Sequence, residues 1–344
     1  MTEISPGPEP LFQLSTGYWA FKTLATAYEL GLFAGMSGTS GMTFHEFAER
    51  YEIDERPARM LLTGCASLGL LDKTGDRYRN SALAEEYLVP GKPYHFGGLI
   101  TMLDRRLYPA WGRLTEAVRA NRPVTWDTDS EKSLFESRNP DVADTFWDAM
   151  HTLSSLTGEA LCEAVELGDA GSLLDVGGGS GALAITLCRA CPDLKATVFD
   201  LPFVTGIADQ RIKDAGLAGR ISTVGGDFFG DVSLPGGHDV HTFCNVLHDW
   251  REDNAKILLK KSFDALVPGG RVVVAGFFVN EEQTGPAPAA LMGLAQLIET
   301  EGRSYTASEY AGWLAEAGFV EPHSVSVASV GANGVMTARK PGNE

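Results

Sequence analysis

The chain has 344 residues, of which 44% are hydrophobic and 21% are charged, which predicts a soluble globular protein of two domains. Its formal net charge of -17 argues against a nucleic-acid partner, because binding to phosphates needs a basic surface. The sequence has no apolar run as long as a membrane span and no signal peptide at its start. We therefore expect a cytoplasmic protein that has no membrane partner.

The N-terminal third predicts three helices followed by a hairpin. Residues 18–30 carry apolar side chains around the whole helical circumference, which predicts a deeply buried helix. Thr43 and Glu46 have the spacing of a capping box at the start of the next helix. A third helix, which contains Pro57, is followed by a hairpin over residues 69–79. This order of elements is the winged-helix pattern.

A winged helix can bind DNA, or it can be a scaffold for dimerisation or substrate enclosure. The first 100 residues carry 12 acidic and 8 basic residues, and the helix that would read DNA offers only Arg56 and Arg59 near its start. Contacts to phosphates need a basic face, so we favour the scaffold.

Residues between about 97 and 165 have helical periodicity. Trp111 and Met150 could line a substrate pocket, although such residues at helical spacing are more often part of the core. Arg105 and Arg106 could hold a carboxylate, although such arginines more often lie on a solvated face.

The stretch Leu173–Gly181 joins an apolar run, an acid and four glycines within five positions, and a helical pattern follows it. It predicts a strand, a tight turn and a helix whose N-terminus forms a ligand cradle. NAD, FAD and S-adenosylmethionine sites all use such a turn. Four more strand candidates alternate with helices after it, which predicts an α/β protein with a doubly wound, mostly parallel sheet.

Chemically useful side chains follow the predicted strands, where ligands bind in sheets of this type. Asp200 stands 25 residues after Asp175 and closes the second strand, where an acid can accept both ribose hydroxyls. Asp227 closes the third strand, where it can bond an adenine amine while Phe228 packs against the ring. The cluster His248-Asp249-Trp250 follows the fourth strand and is a site candidate.

These motifs together resemble the S-adenosylmethionine-dependent O-methyltransferases of the plant caffeate and bacterial polyketide-tailoring kind. The resemblance rests on four segments in order, Asp175–Gly181, Phe199–Pro202, Gly226–Phe229 and Leu247–Trp250. It implies a Rossmann-like catalytic domain over residues 166–344, a helical linker over 99–165 that lines the substrate site, and a winged-helix dimerisation domain over 1–98. It also implies a homodimer that acts on a small-molecule acceptor.

The resemblance also assigns roles to individual residues. His248 falls at the family's general base, with Asp249 beside it, and S-adenosylmethionine is the expected cofactor. The cofactor-binding positions are Asp175, Gly177, Gly179, Asp200, Leu201, Asp227, Phe228 and Trp250.

Two acids of the family pattern are absent from this chain. The glutamates that flank the family's histidine are replaced by Gly276 and Ser304. Nearby candidates for orienting the histidine are Glu299, Glu301 and Tyr305, and Arg303 with Tyr305 could instead hold a substrate carboxylate.

The missing acids leave three functions open. O-methylation of a small aromatic hydroxyl with His248 as base is favoured, because a neutral imidazole can take the phenolic proton. Methylation of a thioether sulfur or a carbon atom in a small acid would use His248 only to position the acceptor. A cofactor-binding member that transfers no methyl group is the third.

No metal site is expected, because His248 and Asp249 would supply only two ligands and no histidine lies near residues 290–305. The five cysteines have no disulfide framework spacing, and Cys188 and Cys191 are expected to pack in a helix.

Overall fold

The computed structural model describes residues 7–126, 135, 140–168 and 170–342. The chain divides into two compact units, Met1–Arg106 and Leu107–Glu344. In the described part of the chain, none of the helices combines the length and the apolar character needed to span a membrane.

The first unit contains helices and one two-stranded antiparallel hairpin. The predicted capping box is present: the Glu46 N–H donates to Thr43 Oγ1 at 3.2 Å, and the Thr43 N–H donates to Glu46 Oε2 at 2.7 Å. The predicted hairpin is also present. The elements in chain order are α1 (Glu9–Glu29), α2 (Leu32–Met36), α3 (Phe44–Arg50), α4 (Glu55–Ser67), β1 (Leu71–Thr74), β2 (Arg77–Asn80), α5 (Ala82–Tyr87) and α6 (Gly97–Met102).

The sequence predicts a deeply buried first helix. Within a single chain, this prediction is wrong for the N-terminal half of the helix. Ala25 and Ala27 are buried, but the side chains of Tyr18 and Trp19 are about half exposed. The α1 helix packs against α2, α4 and α6, and these neighbours cover only part of its apolar circumference. The remaining face leaves large apolar side chains exposed on the single chain.

The second unit is a sheet with helices on both faces, which confirms the predicted α/β class. A π-helical turn, Leu103–Leu107, precedes its first helix. Its elements are α7 (Tyr108–Trp111), α8 (Leu114–Ala120), α9 (Pro140–Ala164), β3 (Ser172–Val176), α10 (Ala182–Ala190), β4 (Lys195–Asp200), α11 (Pro202–Asp214), β5 (Ile221–Gly225), β6 (Val240–Cys244), α12 (Glu252–Ala265), β7 (Arg271–Gly276), β8 (Phe278–Val279), α13 (Ala287–Glu299), β9 (Tyr305–Thr306), α14 (Ala307–Ala317), β10 (Val320–Ser326) and β11 (Gly334–Arg339).

The main sheet has the strand order β10-β11-β7-β6-β3-β4-β5. The five strands from β7 to β5 pair in parallel and are those that the sequence predicts, whereas β11 runs antiparallel to both of its neighbours. The order reverses at β3, and this is the position where sheets of this type bind ligands beyond the carboxyl ends of the strands.

Successive side chains of the central strands supply two different cores. Leu174 and Val272 face the layer that contains α12 and α14, while Leu173 and Val273 face the layer that contains α10. Because both faces are covered, these strands are continuous apolar runs. Cys188 lies in the second core as a buried free thiol, as the packing interpretation predicts.

Candidate active site

The turn after β3 has a backbone conformation that favours glycine. Gly177 and Gly179 have φ values of +68° and +56°, in the left-handed region that favours glycine. A Cβ atom at Gly177 would lie 2.8 Å from Val246 Cγ2, and one at Gly179 would lie 3.0 Å from the Trp147 ring. The turn therefore brings bare main chain to the edge of the sheet, next to the N-terminus of α10.

Two carboxyl groups flank this turn: Asp175 is buried, and Asp200 is partly buried. Asp175 Oδ1 accepts a hydrogen bond of 2.8 Å from Thr242 Oγ1, and burial raises the pKa of Asp175 to about 7. Asp200 accepts hydrogen bonds from the N–H groups of Gly179 (2.8 Å) and Leu201 (2.7 Å), and burial raises its pKa to about 6. Both groups would ionise more readily beside a cation, because a positive charge offsets the desolvation of a carboxylate.

The loop after β5 carries Asp227 and Phe228 and is closed by its own hydrogen bonds. Asp227 Oδ1 accepts from the Phe229 N–H at 2.9 Å, and the Asp227 N–H donates to Asp231 Oδ2 at 3.0 Å. Lys261 of α12 donates from Nζ to the carbonyl oxygens of Phe228 (2.8 Å) and Asp231 (2.6 Å). The loop is therefore tied to the helix layer behind it.

His248 lies in a short 3₁₀ helix after β6 and is only 6% exposed. Burial lowers its pKa to about 4, so the imidazole is neutral near pH 7. Its Nε2 lies 3.7 Å from Asp249 Oδ1, which is too long for a hydrogen bond. The pKa of Asp249 is raised well above its ordinary value, first by burial and then by the charge of Glu299.

A cavity of about 250 Å³ brings most of the predicted residues together. Among the described residues that line it are four aspartates and six aromatic rings, and none is Lys, Arg or His. The predicted site residues that line it are Met150, Asp175, Gly177, Gly179, Asp200, Leu201, Asp227, Phe228, Asp249 and Trp250. His248 lies between two lining pairs, Asn245-Val246 and Asp249-Trp250, and does not itself line the cavity.

This cavity fits S-adenosylmethionine. The cofactor carries a sulfonium and an ammonium group, and a cavity with acidic and aromatic walls attracts cations. One oxygen of Asp175, Oδ2, is buried without a hydrogen-bond partner among the described residues. The glycine turn leaves room for main-chain contact, because side chains at Gly177 and Gly179 would meet their neighbours.

Three predicted substrate residues lie outside the cavity wall. Trp111 packs with a small apolar cluster that includes Ile298. Tyr305 is 1% exposed, and its hydroxyl donates to the Trp250 carbonyl oxygen at 2.7 Å. Arg303 lies 4.3 Å over the Tyr305 ring and forms an ion pair with Glu309. The Arg303 guanidinium is thus already engaged by a carboxylate of its own chain.

Ser304 and Gly276, where the family resemblance leads us to expect glutamates, have different surroundings. Ser304 is buried and donates from Oγ to the Ala289 carbonyl oxygen at 2.7 Å. A Cβ atom at Gly276 would lie 3.8 Å from His248 Nδ1 and 3.4 Å from Asn245 Oδ1. Gly276 therefore stands beside the histidine ring, and its missing side chain bears directly on how that ring is held.

The sequence did not single out the residues of α9 that cover the glycine turn. The Trp147 ring lies against Gly179, and His151 Nδ1 lies 2.9 Å from Ser180 Oγ. The only signal in the sequence was their position on the same predicted helix as Met150, which stands three residues after Trp147 and one residue before His151. Across the residues that the structure describes, no group of three or more His, Cys, Asp or Glu side chains is placed to hold a metal ion.

Comparison with known proteins identifies the family. The sequence model of the O-methyltransferase domain matches residues 111–320, and that of the O-methyltransferase dimerisation domain matches residues 12–90. The 3-hydroxy-5-methyl-1-naphthoate 3-O-methyltransferase of Streptomyces sahachiroi is 44% identical over 97% of this chain and 95% of the relative. The tetracenomycin polyketide synthesis 8-O-methyl transferase of Streptomyces glaucescens is 34% identical over 97% of each chain.

A solved structure agrees with these relatives. Human N-acetylserotonin methyltransferase, crystallised in complex with S-adenosylmethionine, matches with a TM-score of 0.88 and 28% identity over 99% of both chains. The family models and relatives cover most of the chain, and the glycine turn and the acidic cavity are where that cofactor fits. The chain therefore belongs to the O-methyltransferase family and is an S-adenosylmethionine-dependent methyltransferase.

Proposed function

We propose that the enzyme methylates a phenolic hydroxyl of a small aromatic molecule, with His248 as the general base. The observation that carries this proposal is a buried, neutral histidine in the turn between two pairs of cavity-lining residues. The similar enzymes named for a hydroxynaphthoate and for acetylserotonin support an aromatic acceptor. The cytoplasmic location expected from the sequence is part of the same proposal.

The cofactor supplies an electrophilic methyl group, so the protein has to align the acceptor and remove its proton. Phenols have a pKa near 10, like the tyrosine side chain, whereas burial lowers the pKa of His248 to about 4. Proton transfer before methyl transfer is therefore uphill by about 8 kcal/mol. We infer that His248 takes the proton as the new O–C bond forms, when the hydroxyl becomes much more acidic.

Asp249 would assist that transfer. Its Oδ1 lies 3.7 Å from His248 Nε2, so a carboxylate there would stabilise the imidazolium as it forms. The raised pKa of Asp249 reflects burial and the charge of Glu299, and a positive charge on His248 would lower it.

Cofactor binding is assigned to the acids and glycines that line the cavity. Asp200 would hold the ribose hydroxyls, since each of its oxygens accepts one backbone N–H and keeps a free lone pair. Asp227 and Phe228 would hold the adenine, and Gly177 and Gly179 would contact the methionine portion.

The alternative of methylating a sulfur or carbon atom in a small acid has lost one support. It relied on Arg303 and Tyr305 to bind the acceptor's carboxylate. The Arg303 guanidinium instead forms an ion pair with Glu309, and the Tyr305 hydroxyl donates a hydrogen bond to the Trp250 carbonyl oxygen. Neither side chain lines the cavity.

The test is a mass-spectrometric screen for the gain of one methyl group with S-adenosylmethionine. The acceptors are 3-hydroxy-5-methyl-1-naphthoate, other phenols, thioether acids and 2-oxo acids. We expect a phenol to be methylated, and His248→Ala to lose about 10²- to 10⁴-fold in turnover while it binds S-adenosylhomocysteine normally. Full turnover by His248→Ala would refute the base, and methylation of thioethers alone would refute the acceptor class.

We also propose that the enzyme is a homodimer through its first unit. The dimerisation-domain match covers residues 12–90, and α1 leaves an apolar face exposed there. The exposed apolar side chains of α1 are Leu11, Phe12, Leu14, Tyr18 and Trp19. A second copy of this chain is the partner that the family match favours for this face.

A further inference from the structure

Two buried side-chain atoms beside the proposed base have no hydrogen-bond partner among the described residues. They are Asn245 Oδ1 and His248 Nδ1, which belong to the same turn after β6. Buried polar atoms in folded proteins almost always form a hydrogen bond. The two atoms are complementary, because an imidazole nitrogen can donate while an amide oxygen only accepts.

The orientation of the Asn245 amide is fixed from its other end. Its Nδ2 donates to the Gly331 carbonyl oxygen at 3.0 Å, and its backbone N–H donates to the Ala275 carbonyl oxygen at 2.9 Å. A flip of the amide would break the first of these bonds. Asn245 also has a φ of +55°, in the left-handed region that asparagine, aspartate and glycine tolerate best.

Gly276 provides the space between the two atoms. A Cβ atom there would lie 3.4 Å from Asn245 Oδ1 and 3.8 Å from His248 Nδ1, and outside its own chain neighbours no third described atom lies within 4 Å. One water molecule in this space could bond to both groups with a small shift, and buried waters stand in such polar gaps. A glutamate at position 276 and the amide of Asn245 would therefore act on the same ring nitrogen, His248 Nδ1.

We propose that Asn245 is a positioning residue for His248: its Oδ1, through one ordered water beside Gly276, accepts the hydrogen of His248 Nδ1. The other nitrogen, Nε2, is then unprotonated and free to accept the proton of the acceptor. The inference rests on the proposed role of His248 as base. The charged groups around the ring are Asp249, 3.7 Å from Nε2, and Glu299 at the end of α13, which acts on Asp249.

The test observes the ring directly, without turnover. The protein is labelled with ¹⁵N-histidine, saturated with S-adenosylhomocysteine and titrated by NMR, and His248→Gln identifies the signal among those of the seven histidines. Wild type should show neutral His248 with its hydrogen on Nδ1. Asn245→Gly, which keeps the backbone φ, should lose this tautomer preference, and so should Gly276→Ala, which fills the water position.

Asn245→Asp should raise the pKa of His248, because a carboxylate would then act on Nδ1. The matched control is Asn121→Gly, an exposed asparagine with a φ of +49° at the end of α8, which should leave the His248 signal unchanged. A wild-type ring protonated on Nε2, or a tautomer that Asn245→Gly leaves unchanged, would overturn the proposal.

Turnover of 3-hydroxy-5-methyl-1-naphthoate gives the second readout. Asn245→Gly should lower kcat by about 10- to 100-fold, the range found for groups that orient a metal-bound histidine, with little change in KM. Asn245→Asp should move the acid limb of kcat to higher pH, which a purely structural defect would not do. If no acceptor is methylated while the NMR result holds, the proposed function fails and the positioning of the ring stands.

Discussion

Lys261 allows a sharp test of how the proposed adenine loop is held. Its Nζ donates to the Phe228 carbonyl oxygen at 2.8 Å and to the Asp231 carbonyl oxygen at 2.6 Å. Lys261→Met keeps most of the side-chain length and apolar stem but removes both of these hydrogen bonds, together with a longer one of 3.4 Å to the Phe229 carbonyl oxygen. The loop would then be free to leave the position from which Asp227 and Phe228 line the cavity.

The size of the effect follows from those two bonds. Hydrogen bonds to charged groups contribute about 1.5–3 kcal/mol when buried, and we take about 1 kcal/mol each because water can reach this loop. Loss of both then weakens cofactor binding by at most about 2 kcal/mol, which is about 30-fold in Kd and is reached when the loop leaves its position in the unbound enzyme.

The assay is calorimetric titration with S-adenosylhomocysteine, and thermal unfolding checks that the variant is folded. The control is Lys260→Met, which removes the neighbouring lysine that pairs with Asp264 on the exposed face of α12. The control should change Kd less than twofold. A Lys261→Met enzyme that binds as tightly as the control would show that the loop keeps its position without the lysine.

Three further predictions concern the turn, the sheet and the first unit. Gly179→Ala should weaken S-adenosylhomocysteine binding more than about tenfold in the same titration, because its φ is +56° and the added Cβ would press on the Trp147 ring. The control Gly206→Ala adds a Cβ in open space on α11 and should bind normally. Burial lowers the pKa of His241 to about 3, so the unfolded chain binds a proton below about pH 6.5 that the folded chain does not, and stability is lost as the pH falls. His241→Gln lacks this titrating group. Between about pH 6.5 and 5, its unfolding free energy in urea titrations should therefore fall by about 2 kcal/mol less than that of wild type. Equal decreases for the two proteins would refute this. The double change of Leu14 and Trp19 to Asp should give monomers by light scattering, and an unchanged dimer would place the interface elsewhere.

The inner strands β3, β6 and β7 could be predicted because almost all of their residues are buried and glycine-rich turns lie next to them. The edge strand β10 could not. The strand β10, Val320–Ser326, lies at the sheet edge, contains Pro322 and is almost wholly exposed. An edge strand of this composition lacks the apolar pattern by which the inner strands are found.

The cofactor end of the site was readable for a related reason. Each acid stands at or near the carboxyl end of its own strand, and parallel strands bring their carboxyl ends to one edge, so Asp175, Asp200 and Asp227 line one cavity. The acceptor end depends instead on which way a side chain turns. Arg303 carries the same charge whether it faces the cavity or pairs with Glu309, and only the structure shows the ion pair.

A glycine at position 276, where the family resemblance leads us to expect a glutamate, changes the chemistry asked of the proposed base. A carboxylate beside Nδ1 would raise the pKa of His248 and make it a stronger base, but it would also protonate the ring at higher pH. An amide oxygen that acts through water sets the tautomer without adding charge. The imidazole then stays neutral well below pH 7, and its low basicity requires the acceptor to become acidic as it is methylated. Acceptors whose hydroxyl is already acidic, such as phenols conjugated to a carbonyl group, suit a base held in this way better than simple alcohols do.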